Sequence, residues 1–352
     1  MKGSSVFRRL LPARQPDARD QLTFVLPVTL KEGQRLGSGA WRSSPDDGSA
    51  LRLRFGIASL FAKFDLRDLR ELLIICPADE VDDVAALVTN VTDDPRVRIV
   101  PELEVCPDIV RAVDPLTGSI RGWYVQQMLK LAVAERVTTQ FYVTLDSDVV
   151  CVQPFSSASL VTGGRGVCGF ETIETYEALY SPGFAIREWE NKERRMVTSA
   201  ELLGYERDGR YRGRYPAETP VLFSTQAMRD MCAHLTERHG RSWSMELAEG
   251  VGWTEMALYF EYLEMTGRLE TLYEICGPNR VLHVEGSVWH ASERYRLPRP
   301  YDAAHFERVI AEGGLFVAIQ SWLALEAWLP GTGFDSLPAF YAHLGEVLGI
   351  EM

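Results

Sequence analysis

Residues 140–155 read Q-F-Y-V-T-L-D-S-D-V-V-C-V-Q-P-F. The β-branched and aromatic run Phe141 to Leu145 stops at two carboxylates, Asp146 and Asp148, before apolar sequence resumes, the pattern of a buried strand with acids at its carboxyl end. If extended geometry continues through Ser147, the two aspartates point to one side, about 6–7 Å apart. Such a pair suits a hard cation, which takes oxygen ligands and shares them with phosphates. A bare D-x-D also arises by chance, and Asp after a strand is an ordinary turn or cap residue. The strand is what tilts the balance, because ligand sites in open α/β sheets lie beyond the carboxyl ends of strands.

Working outward, a buried strand is expected at Leu22 to Val28, a second at Glu71 to Cys76 and a third at Val97 to Val100. A polar loop at Lys31 to Ser49 and helices over Leu51 to Leu66 and Val81 to Asn90 separate them. This rhythm predicts an α/β fold with a mostly parallel, doubly wound central sheet flanked by helices. Gly122 to Arg136 reads as a helix feeding the Asp146 strand, with Trp123, Gln127, Lys130 and Ala134 on one stripe. Lys130, Gln126 and Gln127 sit among apolar residues and need partners.

Beyond the acids, Val167 to Phe170 and Val221 to Ser224 read as strands, and Thr225 to Arg238 and Thr254 to Thr266 as helices. Residues Glu171 to Pro216, rich in aromatics and both charge signs, read as a long insertion on the acceptor side, either a substrate-facing lid or wall or a solvated irregular surface. Short strands are expected at Val281 to Val284 and Ser287 to Trp289, with His283 and His290 on or beside them. From Tyr301 the chain reads as a helical tail, and Leu315 to Leu329 as an apolar helix docked on the core or lying on a membrane surface.

The chain has 352 residues, 46% of them hydrophobic, ordinary for a soluble globular enzyme. Its 49 acids against 37 bases give a net charge of −12, no basis for binding nucleic acid or an anionic membrane in bulk. Any anionic substrate must meet local positive charge. Cys76, Cys106, Cys151, Cys168, Cys232 and Cys276 stand singly, without a C-x-x-C pair, so reduced buried thiols and a cytoplasmic location are expected. Residues 1–20 read as a basic flexible lead-in, and no uncharged run reaches membrane-spanning length. Attachment at the inner face of the membrane is the second placement. A homo-oligomer is compatible with the sequence.

Taken together, Lys130-Leu131 on a helix, then Asp146-Ser147-Asp148, then T-E-M-A-L-Y (Thr254 to Tyr259) and V-W-H-A-S (Val288 to Ser292), resemble the GT-A class of nucleotide-sugar glycosyltransferases. The likeness is to the glycogenin and lipopolysaccharide-galactosyltransferase type, over roughly Leu22 to His290. The family's D-Q-x-x-L-N helix start is replaced here by T-E-M-A-L-Y. More narrowly, G-W-Y-V-Q-Q-M-L-K-L with L-D-S-D resembles an uncharacterised bacterial family of that fold. The resemblance implies a transferase domain over 21–300, with a nucleotide-sugar half at 21–155 and an acceptor half at 156–300, then an extension at 301–352.

The same resemblance implies Mn²⁺, or Mg²⁺, held by Asp146, Asp148 and His290, with His283 as substitute ligand. Imidazole suits manganese better than magnesium. It implies a nucleoside-diphosphate sugar donor, UDP-sugar favoured, and a hydroxyl-bearing acceptor from a surface polysaccharide or metabolite. Pro27, Val28 and Thr29 would contact the base. Lys130, Gln127, Asp146, Ser147 and Thr219 would contact the rest of the substrate, with Glu255 and Lys130 as catalytic residues. Two other readings use the same residues. F-Y-V-T-L-D-S-D-V-V also fits haloacid-dehalogenase-type phosphatases, with Asp146 as nucleophile, although that family begins its domain with this strand. A catalytically inactive nucleotide-sugar-binding protein is the other.

Overall fold

The computed structural model describes residues 21–30, 48–116, 118–207, 213–287, 304–319 and 329–351. The expectations for the lead-in, for most of the loop 31–49 and for His290 fall outside these residues. Strand β1 (Leu22–Pro27) is buried at all six positions, because neighbours cover both faces of the sheet and a continuous apolar run replaces alternation. Helix α1 (Ser49–Lys63), β2 (Leu69–Cys76), α2 (Val81–Thr89), β3 (Val97–Pro101), α3 (Gly122–Ala132) and β4 (Phe141–Thr144) follow in order. The sheet runs β3-β2-β1-β4-β9, where β9 is Val221–Ser224. The first four strands are parallel and β9 is antiparallel to β4. The expected mixed α/β architecture with a mostly parallel sheet is therefore present.

Strand order advances from β1 outward to β3, then returns to place β4 on the other side of β1. A crevice opens at such a reversal, beyond the carboxyl ends of the two diverging strands. Pro27 to Leu30 and Asp146 to Asp148 stand at those two ends, and the Leu145 N–H donates to the Val25 carbonyl at 2.8 Å to hold them side by side.

A second sheet is built on β7 (Arg165–Thr172), which pairs with β6 (Val161–Thr162), β8 (Arg214–Pro216) and β10 (Tyr273–Cys276). It is laid close against the first. A Cβ at Gly166 would come within 2.6 Å of the Leu222 side chain and 2.8 Å of the Tyr273 ring, so only glycine permits the approach.

Several segments differ from the sequence reading. Between residues 171 and 207 the chain is largely helical: α4 (Ile173–Leu179) begins at a capping box of Thr172 and Thr175, and α5 (Pro182–Leu203) is 22 residues long and closes on left-handed Gly204. Helix α6 (Thr225–His239) matches expectation, whereas α7 (Trp243–Glu249) was not anticipated. Helix α8 (Glu255–Met265) starts where expected, with the Thr254 hydroxyl accepting the Ala257 N–H at 3.0 Å. The expected strand at Val281 to Val284 is a single bridge, Leu282 to Phe316. The start of the apolar run read as a helix, Leu315 to Leu329, is instead β11 (Phe316–Ala318), antiparallel to β5 (Val149–Cys151). Backbone pairing to β5 overrides helical propensity there. Helices α9 (His305–Ala311) and α10 (Leu337–Leu348) flank it.

Phe316, Val317 and Ile319 are fully buried, which removes the described part of this run from any membrane surface. Among the described residues no helix is long and apolar enough to cross a membrane. Phe55, Val150, Val317, Phe340 and Tyr341 form a second hydrophobic cluster between α1, β5 and α10.

Candidate functional site

Helix α3 starts near the carboxyl end of β4 and runs back along that strand, so that Gln126 reaches Asp146 while the backbone of its last turn is held against β4. The Tyr142 hydroxyl, on β4, donates to the Lys130 carbonyl at 2.9 Å. The Lys130 ammonium lies 2.8 Å from Asp146 Oδ1, 3.1 Å from Glu255 Oε1 and 3.3 Å from Thr219 Oγ1. Gln126 Nε2 donates to the same Asp146 Oδ1 at 2.9 Å. At the next residue, Gln127 Oε1 accepts the Glu255 N–H at 3.0 Å, satisfying a donor at the start of α8 that has no partner within the helix. Five of the expected residues, Lys130, Gln127, Asp146, Thr219 and Glu255, thus meet at one place.

The network is graded in exposure. Lys130, Gln127 and Glu255 are each 2% exposed and Thr219 6%, whereas the Asp146 side chain is 34% exposed. Asp146 is where a buried polar cluster opens to solvent. Its Oδ1 receives both donors, and its Oδ2 accepts nothing from the described residues. Burial opposes the charge on Lys130, but the carboxylates of Asp146 and Glu255 outweigh it and raise its pKa above that of a free lysine. The ammonium therefore stays charged between the Asp146 and Glu255 side chains.

The backbone does not stay extended through the two aspartates. The Val149 N–H donates to the Asp146 carbonyl at 3.1 Å, closing a turn over Ser147 and Asp148. Asp148 is 7% exposed, and its carbonyl accepts the Ile319 N–H at 2.8 Å. Its charge is felt by the buried Tyr341 phenol in the second cluster: burial raises the Tyr341 pKa, Arg52 lowers it and Asp148 raises it. Helix α1 lies directly under this turn, where a Cβ at Gly56 would come within 3.3 Å of the Val149 carbonyl and 3.6 Å of that of Ser147.

On the β1 side, the Val28 N–H is held by the Ile75 carbonyl at 2.8 Å. The Thr29 hydroxyl donates to Glu80 Oε1 at 2.9 Å, and the Leu30 N–H donates to Glu80 Oε2. Glu80, fully buried after β2, was not singled out from the sequence, since an acid in a P-A-D-E turn looks like surface. Gln126 was marked only as needing a partner.

Among the described residues no group of three His, Cys, Asp or Glu side chains is placed to hold a metal. His283 does not serve as a substitute ligand: Nδ1 accepts the Gly286 N–H at 2.8 Å and Nε2 faces Glu312 at 2.8 Å. A divalent ion that keeps waters and takes its remaining oxygens from a diphosphate needs only one or two carboxylates. The open Oδ2 of Asp146 fits that requirement.

The chain belongs to DUF6492, a family of unknown function, whose profile matches residues 19–342. No curated protein matches it. Similar solved structures include apo mouse xyloside xylosyltransferase 1, 12% identical over 73% of this chain and 85% of that one, with a TM-score of 0.37. The apo bifunctional glycosyltransferase WbbM is 11% identical over 93% of this chain, which spans 49% of WbbM, with a TM-score of 0.47. The galactosyltransferase LgtC, in complex with donor and acceptor sugar analogues, is 11% identical over 92% of this chain and 100% of that one, with a TM-score of 0.43. At such similarity the functional reading of this chain rests on its own residues.

Proposed function

We propose that this family member is a glycosyltransferase that moves a sugar from a nucleoside-diphosphate sugar, a UDP-sugar in the first instance, to a hydroxyl of a saccharide or metabolite acceptor. The observation that carries the reading is the Asp146–Lys130–Glu255–Thr219 network, buried on one side and open at Asp146, at the mouth of the strand-order crevice. In the reaction the bond from the anomeric carbon to the diphosphate oxygen breaks and its electron pair leaves with the nucleoside diphosphate. The acceptor oxygen bonds to the anomeric carbon and its proton passes to solvent or a base.

Asp146 and Asp148, with His290, would hold Mn²⁺ or Mg²⁺. The ion would supply positive charge to the diphosphate oxygens as the bond breaks. Pro27, Val28 and Thr29 border the base, and the Glu80 contacts hold that loop in place. Ser147 lies in the turn between the two acids, and the Thr219 hydroxyl lies against Lys130. Lys130, closed in by two carboxylates, acts by fixing Asp146. Glu255 is its permanent counter-charge.

Release of UDP from a panel of UDP-sugars, with and without Mn²⁺, tests the reading. Turnover should fall about 100-fold or more on Asp146→Asn, the scale of losing one preorganised electrostatic group, and likewise on chelation of the metal. Undiminished turnover in the variant would overturn it. Phosphate release from simple phosphomonoesters would transfer the assignment to a phosphatase with Asp146 as nucleophile. Tight UDP binding without turnover would make the chain a binding protein.

A further inference from the structure

One turn before Gln126 on α3, Trp123 is 43% exposed, a large apolar surface left at the rim of the site. The Arg195 guanidinium, from α5, lies over its ring at 5.2 Å. Arg195 has no carboxylate partner among the described residues. The next ring, Tyr124, packs edge-on against Trp123 and carries Arg121 at 4.8 Å. The Nη groups of Arg121, by contrast, donate to the Ala248 and Gly250 carbonyls. Lys192, one turn earlier on α5, is likewise committed, to Glu171 and to Glu218 at 3.6 Å.

The placement relative to Asp146 is close. Trp123 precedes Gln126 by three residues, about 4.5 Å along a helix axis, and Gln126 holds Asp146 Oδ1. The pair lies where α5 of the acceptor half meets α3 of the nucleotide half. A part-exposed ring that carries a guanidinium with no carboxylate partner offers its remaining apolar surface and a planar fork of donors, and that fork matches carboxylate and phosphate oxygens. In a chain of net charge −12, a local cation with no carboxylate partner among the described residues, here Arg195, is the feature that would admit an anionic substrate.

We infer that Trp123 and Arg195 form an acceptor subsite for an anionic sugar, the ring stacking on the pyranose and the guanidinium binding its carboxylate or phosphate. The inference rests on the glycosyltransferase reading and names its acceptor class. Calorimetric titration of the full chain, loaded with UDP and Mn²⁺, with methyl β-glucuronide, glucose 6-phosphate and neutral methyl β-glucoside tests it. The two anionic sugars should bind at least tenfold more tightly than the neutral one, and comparison between them identifies carboxylate or phosphate as the preferred group.

Arg195→Gln should erase that preference, and Trp123→Ala should weaken all three ligands. Equal affinities, no binding of any sugar, or a preference that survives Arg195→Gln would overturn the subsite. Should Trp123→Ala fail to fold, Arg195→Gln decides alone, checked by an unchanged melting temperature. UDP binding measured in the same preparation separates the two failures: if UDP binds and the sugars do not discriminate, only the subsite falls.

Discussion

At the scale of single residues, the site depends on an ammonium that water does not reach. Lys130 is within ion-pair distance of two carboxylates of different exposure, Asp146 at 34% and Glu255 at 3%. Removing the lysine therefore has two costs. Asp146 can recover hydration, but Glu255 is left as an uncompensated buried charge. Breaking a buried pair from one side costs about 3–5 kcal/mol, whereas removing both charges together is often close to neutral. Lys130→Met should lower the unfolding free energy in urea by about that amount. Adding Glu255→Gln should restore much of the loss, because the orphaned charge goes with it. A double variant no more stable than Lys130→Met would mean that Glu255 is not what makes the lysine indispensable. The same logic explains why Asp146→Asn is the cleaner probe of chemistry: it leaves Lys130 with Glu255 and Thr219.

At the scale of elements, the turn before β3 shows how local charge sets strand pairing. Arg96 pairs with Asp94 at 2.5 Å and sends Nη1 across to the Leu66 and Leu69 carbonyls at the start of β2. The hydrogen bond from Arg96 holds the Asp94 carboxyl below the usual aspartate range. A depressed folded pKa contributes stability above the unfolded value and loses it as pH falls through the folded one. Asp94→Asn should therefore cost about 0.5–1 kcal/mol at pH 7, the scale of a surface pair. The gap to the parent should close on acidification below pH 4; a gap independent of pH would assign the effect to the turn instead. Elements of this kind, short apolar strands with Pro or Asp at their ends, were legible in sequence, as were α1, α2, α6 and the Thr254 cap. Helix α5 was not. Its buried stripe, Ala185, Met196, Ala200 and Leu203, is interrupted by Lys192, which serves Glu171 and Glu218. Pro182 at its start and Gly204 at its end were the available signals. The site was legible as a set of residues but not as a network: Lys130 and Glu255 are 125 residues apart, and no local pattern says that they touch.

At the scale of the molecule, the carboxyl-terminal segment is built into the frame that holds the candidate site. Strand β11 pairs with β5, which begins at the residue after Asp148, and the Ile319 N–H holds the Asp148 carbonyl. On the far side α10 closes the second cluster, where the Tyr341 ring meets Phe55 at 4.9 Å and Lys63 Nζ donates to the Leu348 carbonyl. Because Phe55 belongs to α1 and Gly56 beside it supports the Asp146 turn, disturbance of α10 should travel to the crevice through one helix. Phe340 is fully buried in that cluster. Truncating it should cost about 3–5 kcal/mol, the transfer term plus an unfilled cavity. If 301–352 is structurally continuous with the sheet, Phe340→Ala should shift a single calorimetric transition to lower temperature, and UDP affinity should weaken in step. A separate early transition, with UDP binding intact after it, would show that this segment is an independent appendage and that the Asp146 turn is held by α1 and β4 alone.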